Sequence, residues 1–459
     1  MTDARGPIAR CAAAVALLAA CAPPSPREQL VAASGWAAPV VLVVVDTLRL
    51  DHTSLGGCER DTTPFLAELA RRAVVFDAAR AQSSWTRPSM ASLFTSRLPA
   101  GHGCEGRLGR VAESVPLLPE LLHEAGYDAR AVQANGNLAA VYGFDRGFSD
   151  YRCLKGRPLL PYADAAFLRG FVENTARALQ PPPFFLYLHY VDPHDPYLLH
   201  PEHDWNPAYA GTFDGTERSL QPFRLRRPSA ANLARTVDLY DGEIAWVDDQ
   251  LRSLFGFLSA QGTLEHAWIV ITSDHGEGLW QHRIQGHADE LYEEQLRVPL
   301  LLLPPGGLDR PLHVPEPFPL MDLAPTLLDL LGLPPCESFA GRSWAPHRRR
   351  RARDGVDGCA RRRRAGGGAS VARAAGGAGS RARPSAGTRG APAGRGPGRR
   401  AHAAPGARLR ARRQVDCART PRAGDRHEQE EGSVVRRGPR APARDPARGG
   451  ERRRGRGPA

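Results

Sequence analysis

Lysine is almost missing from this chain: there is one, Lys155, in 459 residues. Every other basic position is arginine, apart from the histidines, which is the usage of a GC-rich gene. Cysteine is sparse for the length, eight in all, so a disulfide framework cannot be what holds the fold. Cys58, Cys104, Cys153 and Cys336 are the four outside the termini; Cys58 with Cys104 is one pairing, and unpaired thiols are the equal alternative. No apolar run approaches the roughly 20 residues that a membrane-spanning helix needs. Positive charge is lacking where it would matter most. Residues 1–347 carry 29 Lys+Arg against 40 Asp+Glu, whereas residues 348–459 carry 32 against 9. The pI near 9.7 therefore describes the tail, and the mildly acidic body argues against nucleic acid as the partner of its folded part.

The two ends read differently from the middle. Residues 347–459 are Arg, Gly, Ala and Pro with almost no large apolar side chains, no periodicity, and too little surface to bury against the cost of ordering. One reading is a disordered basic arm for RNA or anionic lipid. The reading preferred here is a shift of reading frame in a GC-rich gene, which independent resequencing of the DNA would check. At the start, Arg5 and Arg10 precede a short apolar stretch from Cys11 to Ala20, then Pro-rich sequence, which predicts a cleaved export signal over residues 1–20 and a linker over 21–37. Leu18-Ala19-Ala20-Cys21 resembles the lipobox of bacterial lipoproteins. That resemblance implies acylation of Cys21, a lipid anchor in the membrane and a place in the bacterial cell envelope on the periplasmic side. An ordinary signal peptide with a chance cysteine is the alternative.

From residue 38 to 346 strand and helix alternate. "PVVLVVVD", "FFLYLHYVD", "AWIVITSD" and "VPLLLLPP" are continuous apolar runs, as strands buried on both faces should be, and "DARAVQA" is a further strand. "TTPFLAELARRAVVF", "VPLLPELLHEAG", "DAAFLRGFVENTARAL", the long "LARTVDLYDGEIAWVDDQLRSLFGFLSAQG" and "PLMDLAPTLLDLLGL" read as helices, with Gly126, Gly262 and the prolines 181–183 as stops. This order predicts an α/β fold: a largely parallel sheet covered on both faces. Sites in such sheets form at the carboxyl ends of the strands. Polar residues gather there: Asp46 after the first strand, Asp192 and His194 after the second, Asp274 and His275 after the third.

Asp46, Thr86, Asp274 and His275 belong together chemically. An adjacent Asp and His behind a buried strand cost stability unless a charge satisfies them. Two carboxylates, an imidazole and a hydroxyl suit one divalent cation (Zn²⁺, Mn²⁺, Ca²⁺ or Mg²⁺), with a second left open. Such a cation would ready the Thr86 hydroxyl as a nucleophile, while a helix starting near Ser89 would offer its positive end to a tetrahedral oxyanion.

Six segments in order, "VVLVVVDTLRLDHTSLGG", "WTRPSMASLFTSRLPAGHG", "LHYVDPHDPY", "LYDGEIAWVDDQL", "TSDHGEGLWQHRIQGH" and "LYEEQLRVPLLLLP", resemble the signature segments of the sulfatase branch of the alkaline phosphatase superfamily. The resemblance implies a three-layer sandwich with a largely parallel central sheet and, because the tail begins where the family's smaller C-terminal subdomain should follow, loss of that subdomain. It also implies that Asp46, Asp274 and His275 are metal ligands, that Thr86 stands at the nucleophile, and that His194, His282 and His287 meet the substrate anion, with Arg49 and Arg297 as further anion contacts. His194 and His287 are the ones expected to take part in catalysis. The sequence departs from the pattern at four places. Sulfatases oxidise Cys or Ser in C/S-x-P-x-R to formylglycine; here Thr86 stands at that position and Met90 replaces the arginine. Thr47 replaces the second aspartate, and Gly286-His287-Ala288-Asp289 stands where a lysine is usual. Oxidised threonine would be a ketone, so no formylglycine is expected. An unmodified threonine implies phosphate-ester or phosphoryl-transfer chemistry on an anionic ester. A formylglycine-independent sulfatase and a catalytically inactive binding lipoprotein are the alternatives. Asp241 and Glu243 read as supporting or capping groups, Asp192 and Asp195 as holding the turn around His194, His189 as a satisfied core residue, and Trp85 as a wall of the cleft or a substrate contact.

Overall fold

The computed structural model describes residues 28, 29, 32, 38–154, 163–175 and 183–345. The expected export signal, Cys21 and the Arg/Gly/Ala/Pro tail lie outside the described residues.

The chain begins its fold with β1 (Val40–Val45), six consecutive buried residues. Alternate side chains enter opposite cores: Val40, Leu42 and Val44 join one apolar cluster, Val41, Val43 and Val45 the other. This is why the strand reads as a continuous apolar run, since both of its faces are covered. Next come α1 (Pro64–Ala70), β2 (Val74–Phe76), β3 (Ala79–Arg80), α2 (Thr86–Thr95), α3 (Leu118–Glu124), β4 (Asp128–Gln133), β5 (Asp150–Cys153), α4 (Ala165–Thr175), β6 (Phe184–Tyr190), the long α5 (Ala230–Ala260), β7 (Trp268–Thr272), β8 (Gly278–Leu279), β9 (Gln285–Gly286), β10 (Leu300–Leu303), β11 (Leu312–Val314), β12 (Phe318–Pro319) and α6 (Leu323–Leu330). The main sheet has eight strands in the order β11-β2-β10-β7-β1-β6-β4-β5. The stretch β7-β1-β6-β4-β5 is parallel throughout, whereas β10 runs antiparallel to both of its neighbours. One face is covered by α2, α3 and α6, the other by α1, α4 and α5.

The expected α/β sandwich is therefore present, with corrections at particular elements. The helix expected over "TTPFLAELARRAVVF" stops at Ala70, and residues 74–76 form β2 instead. The β-branched pair Val74-Val75 finds β10 and β11 as partners, and tertiary pairing overrides the helical spacing. Strands β5 and β11 and the two-stranded ribbons β3–β12 and β8–β9 were not foreseen. Cys58 and Cys104 are free thiols, Cys104 fully buried, so that pairing is not made.

Helix α2 starts at Thr86, three residues earlier than Ser89. Trp85 is its extended N-cap, and Pro88 falls in the first turn, where its missing N–H leaves no intrahelical bond unmade. All ten of its residues are buried, so it has no solvent face and is a core helix. Leu93 of α2 is fully buried. Leu93→Ala should destabilise the protein by about 2–5 kcal/mol through lost burial and a residual cavity, measured by urea unfolding. A loss below about 0.5 kcal/mol, the range of an indifferent surface change, would mean that α2 is not packed as described.

Candidate metal centre and active site

Four adjacent parallel strands deliver the polar residues to one place. In the sheet Val44 of β1 is level with Thr272 of β7 and His189 of β6, and His189 is level with Gln133 of β4. The residues just past these ends, Asp274 and His275, Asp46, and Asn135, therefore converge with His189. All five are at most 2% exposed.

Each carboxylate has one oxygen tied down and one bare. Asp46 Oδ2 accepts from Asn135 Nδ2 at 2.5 Å and lies 3.3 Å from His189 Nε2, whose ring is fixed on its far side by the Tyr187 hydroxyl, 2.8 Å from Nδ1. Asp274 Oδ1 accepts from the backbone N–H of His275 at 2.9 Å and of Thr47 at 3.3 Å. Asp46 Oδ1 and Asp274 Oδ2 are buried with no hydrogen-bond donor. His275 Nδ1 donates to Gly276 O at 2.9 Å, which leaves Nε2 as the free atom. That Nε2 lies 3.6 Å from Asp46 Oδ1 and 3.5 Å from Asp274 Oδ2. One ligand atom from each of the three residues lies within 4.8 Å of the others, a spread that one cation at about 2.0–2.5 Å from each can span. The donor set fits a divalent metal.

The charges support that fit. Burial alone would raise the Asp46 carboxyl, yet the His189 hydrogen bond and the nearby His194 and His275 rings hold it well below the usual carboxylate range. Asp274 is pushed up, first by burial and then by the charge of Asp46. Burial lowers His275, which favours the neutral imidazole a metal requires. Two buried carboxylate oxygens without a donor, both beside His275 Nε2, are costly without a cation near them.

Thr86, at the first position of α2, has its Oγ1 3.2 Å from His275 Nε2 and 3.4 Å from Asn135 Nδ2. The helix is pinned under the cluster by Ser89, whose hydroxyl donates to Asp274 O at 2.5 Å. Arg87, also buried, is held by the carbonyls of Asn137 and Arg107 and by the Asn137 side chain, and its guanidinium lies 3.5 Å from the Tyr142 ring centre. Trp85 lies against the same guanidinium at 5.1 Å. Thr47 has a left-handed backbone, φ 57°, an uncommon state for a β-branched residue; the Tyr240 hydroxyl holds its carbonyl at 2.7 Å.

Beside this cluster stand His194 and His287. The His287 ring lies 4.5 Å from that of His275 and 4.9 Å from that of His194. His194 Nδ1 is 2.7 Å from Asp195 O and 3.0 Å from its Oδ1. Burial pulls the His287 imidazole down, but the charge and hydrogen bond of Glu277 more than reverse that and leave it raised. His282 and Arg297 pair with other groups, and Arg49 is tied to the backbone of Glu277. His282 pairs with Glu294 at 2.6 Å and stacks on Tyr292 near the surface. Arg49 is bound by the Asp51 carboxylate at 2.6 Å and donates to Glu277 O. Arg297 donates to Asp77 O. Asn135 and Glu277 are additional to the residues the sequence points to, and His189 is the satisfied core residue expected, buried with the Tyr187 hydroxyl and Asp46 as its two partners. Asn135 carries the same signal as Asp46, a polar side chain just past a buried strand.

The chain's segment 39–333 matches the model of the family described as Sulfatase. The chain belongs to the sulfatase family. Among curated proteins, this sulfatase-family chain is 26% identical over 319 residues to the Delta 4,5-hexuronate-2-O-sulfatase of Bacteroides thetaiotaomicron, covering 61% of this chain and 65% of that protein. It is also 26% identical over 212 residues to the multifunctional alkaline phosphatase superfamily protein PehA of Trinickia caryophylli, covering 40% and 41%. The matches thus span less than two thirds of either relative. The phosphonate monoester hydrolase of Agrobacterium radiobacter shares the fold with a TM-score of 0.56 at 21% identity, over 67% of this chain and 76% of that one.

Asp241 and Glu243 of α5 hold loops, as expected of supporting groups. Asp241 binds His52 and Arg60 at 2.6 and 2.7 Å. Glu243 accepts from Leu198 N at 2.5 Å and lies 2.9 Å from His200 Nε2, which ties down the loop that bears His194. Burial, above all, raises Glu243 to about 8 from 4.5. Below pH 4.5 folded and unfolded chains both hold this proton. Between 4.5 and about 8 only the folded chain keeps it, so this contribution to stability is lost as pH rises through that window. Glu243→Gln should therefore flatten the fall in Tm between pH 5 and 8 relative to wild type; parallel Tm profiles would contradict the buried neutral carboxyl.

Proposed function

We propose that the body is a metal-dependent hydrolase or transferase of anionic esters in which Thr86 is the nucleophile and carries a covalent intermediate. The observation that carries this reading is the place of Thr86 Oγ1, at the head of a buried helix and 3.2 Å from His275 Nε2. Asp46, Asp274 and His275 would hold the divalent cation (Zn²⁺, Mn²⁺, Ca²⁺ or Mg²⁺), which when bound lowers the pKa of a neighbouring hydroxyl and draws electron density from the ester. Asn135 orients Thr86 by donating to its oxygen. Thr86 Oγ1, its proton passed to solvent, attacks phosphorus or sulfur in line with the departing ester oxygen, whose bond to that atom breaks. His194 and His287 balance the equatorial oxygens, and one of them gives the leaving oxygen its proton. Water or a second alcohol then displaces Thr86 and returns its hydroxyl.

Phosphate esters are the preferred substrates, because an unmodified threonine cannot supply the aldehyde hydrate that sulfate-ester cleavage in the family uses. Sulfate esters are the second reading, favoured by the name of the Bacteroides relative. The sequence of residues 1–37 supports an exported protein anchored through acylated Cys21 on the periplasmic side of the cell envelope.

The test is an assay of the purified protein against an aryl phosphodiester and an aryl sulfate, with added metals. Thr86→Ala should lower turnover on the order of 10³-fold or more with Tm unchanged. A Thr86→Ala protein that works at the wild-type rate removes the assignment, and turnover of the sulfate alone selects the second reading.

A further inference from the structure

Ribbon β8–β9 does more than its length suggests. In its antiparallel register Gly278 faces Gly286 and Leu279 faces Gln285, so the next facing pair is Glu277 and His287. The pair meets: Glu277 Oε1 lies 3.0 Å from His287 Nδ1 and 3.2 Å from Gly278 N. Glu277 is fully buried, and its Oε2 has no partner. The backbone is shaped for this approach. A Cβ on Gly278 would stand 2.6 Å from Gly286 O, and one on Gly276 2.1 Å from Glu294 O. Residues 294 and 295 clamp the ribbon: Gly276 N donates to Gln295 O at 2.8 Å, Glu277 N to Glu294 O at 3.0 Å, and Gln295 Nε2 to Gly286 O at 3.1 Å. On its far side Ala288 N donates to Ser84 O at 2.9 Å, two residues before Thr86.

An ammonium group at this place would need no aiming, but an imidazole has two different edges. A carboxylate accepting at Nδ1 fixes the hydrogen on that nitrogen and leaves Nε2 as the outward atom. We propose that Glu277 is a positioning residue, which holds His287 with Nδ1–H turned to the carboxylate so that Nε2 faces the substrate anion at Thr86. This rests on the reading of His287 as an anion contact, and nothing in the reaction above used Glu277.

The test is a double-mutant cycle with Glu277→Gln, His287→Ala and the combination, on whichever ester the wild type turns over. Glu277→Gln should lower kcat about 10–100-fold with KM nearly unchanged, and should cost less than about 2-fold when His287 is already alanine. An equal loss in both backgrounds, or none in the wild type, overturns the proposal. Long-range ¹H–¹⁵N spectra decide it without turnover. His287 Nδ1 should carry a hydrogen in the wild type and lose that preference in Glu277→Gln, whereas a bare Nδ1 in the wild type overturns it. Thr86→Ala assayed alongside separates the two questions, since its full activity would remove the nucleophile but leave the His287 spectrum to decide the role of Glu277.

Discussion

Two buried carboxylate oxygens, Asp46 Oδ1 and Asp274 Oδ2, have no hydrogen-bond donor, and each lies within 3.6 Å of His275 Nε2. A cation between them would satisfy both oxygens at once. The strands β1 and β7 that carry them are adjacent and parallel, so the fold itself forces the two acids together. His275 completes the set because its other nitrogen is held by a backbone carbonyl. An imidazole whose Nδ1 is held by a backbone carbonyl and whose pKa burial lowers, together with two half-satisfied carboxylates, is the donor set a divalent metal selects.

The rest of the site is organised outward from that point. Asn135 and His189 occupy the second oxygen of Asp46, backbone N–H groups occupy the second oxygen of Asp274, and Ser89 pins α2 beneath them. This buried set sits at one end of a sheet whose faces are sealed by α1, α4 and α5 on one side and α2, α3 and α6 on the other. Support further out is carried by loops tied to α5. Glu243 holds the 198–200 segment and Asp241 holds His52 and Arg60. The candidate metal ligands follow directly on the central strands β1 and β7, whereas His194 and His287 are carried by a loop and the end of a short ribbon.

Much of this was legible in the sequence. Asp46, Asp274 and His275 announce themselves as charged residues directly behind buried runs, and that rule depends only on local pattern. Thr86 stands out through its motif, but Pro88 reads as a boundary and puts the expected start of α2 three residues late, although a proline in a first turn breaks no hydrogen bond. The pairing of Glu277 with His287 was invisible because it depends on the register of two strands, which a chain read in one dimension does not reveal. His282 and Arg297 lie close in sequence to the motifs, yet their side chains turn to Glu294 and Asp77. Proximity along the chain says nothing about side-chain direction. The strand at residues 74–76 was lost to a helical pattern for a similar reason, since its partners β10 and β11 come more than 200 residues later.

The central claim is that one divalent cation binds between these two carboxylates, and anomalous diffraction from crystals grown with Mn²⁺ or Zn²⁺ tests it most directly. A single strong anomalous peak in contact with Asp46 Oδ1, Asp274 Oδ2 and His275 Nε2, absent from crystals of Asp274→Asn, is the expected result. Crystals saturated with metal that show no peak there, or a peak bound by other residues, would contradict it.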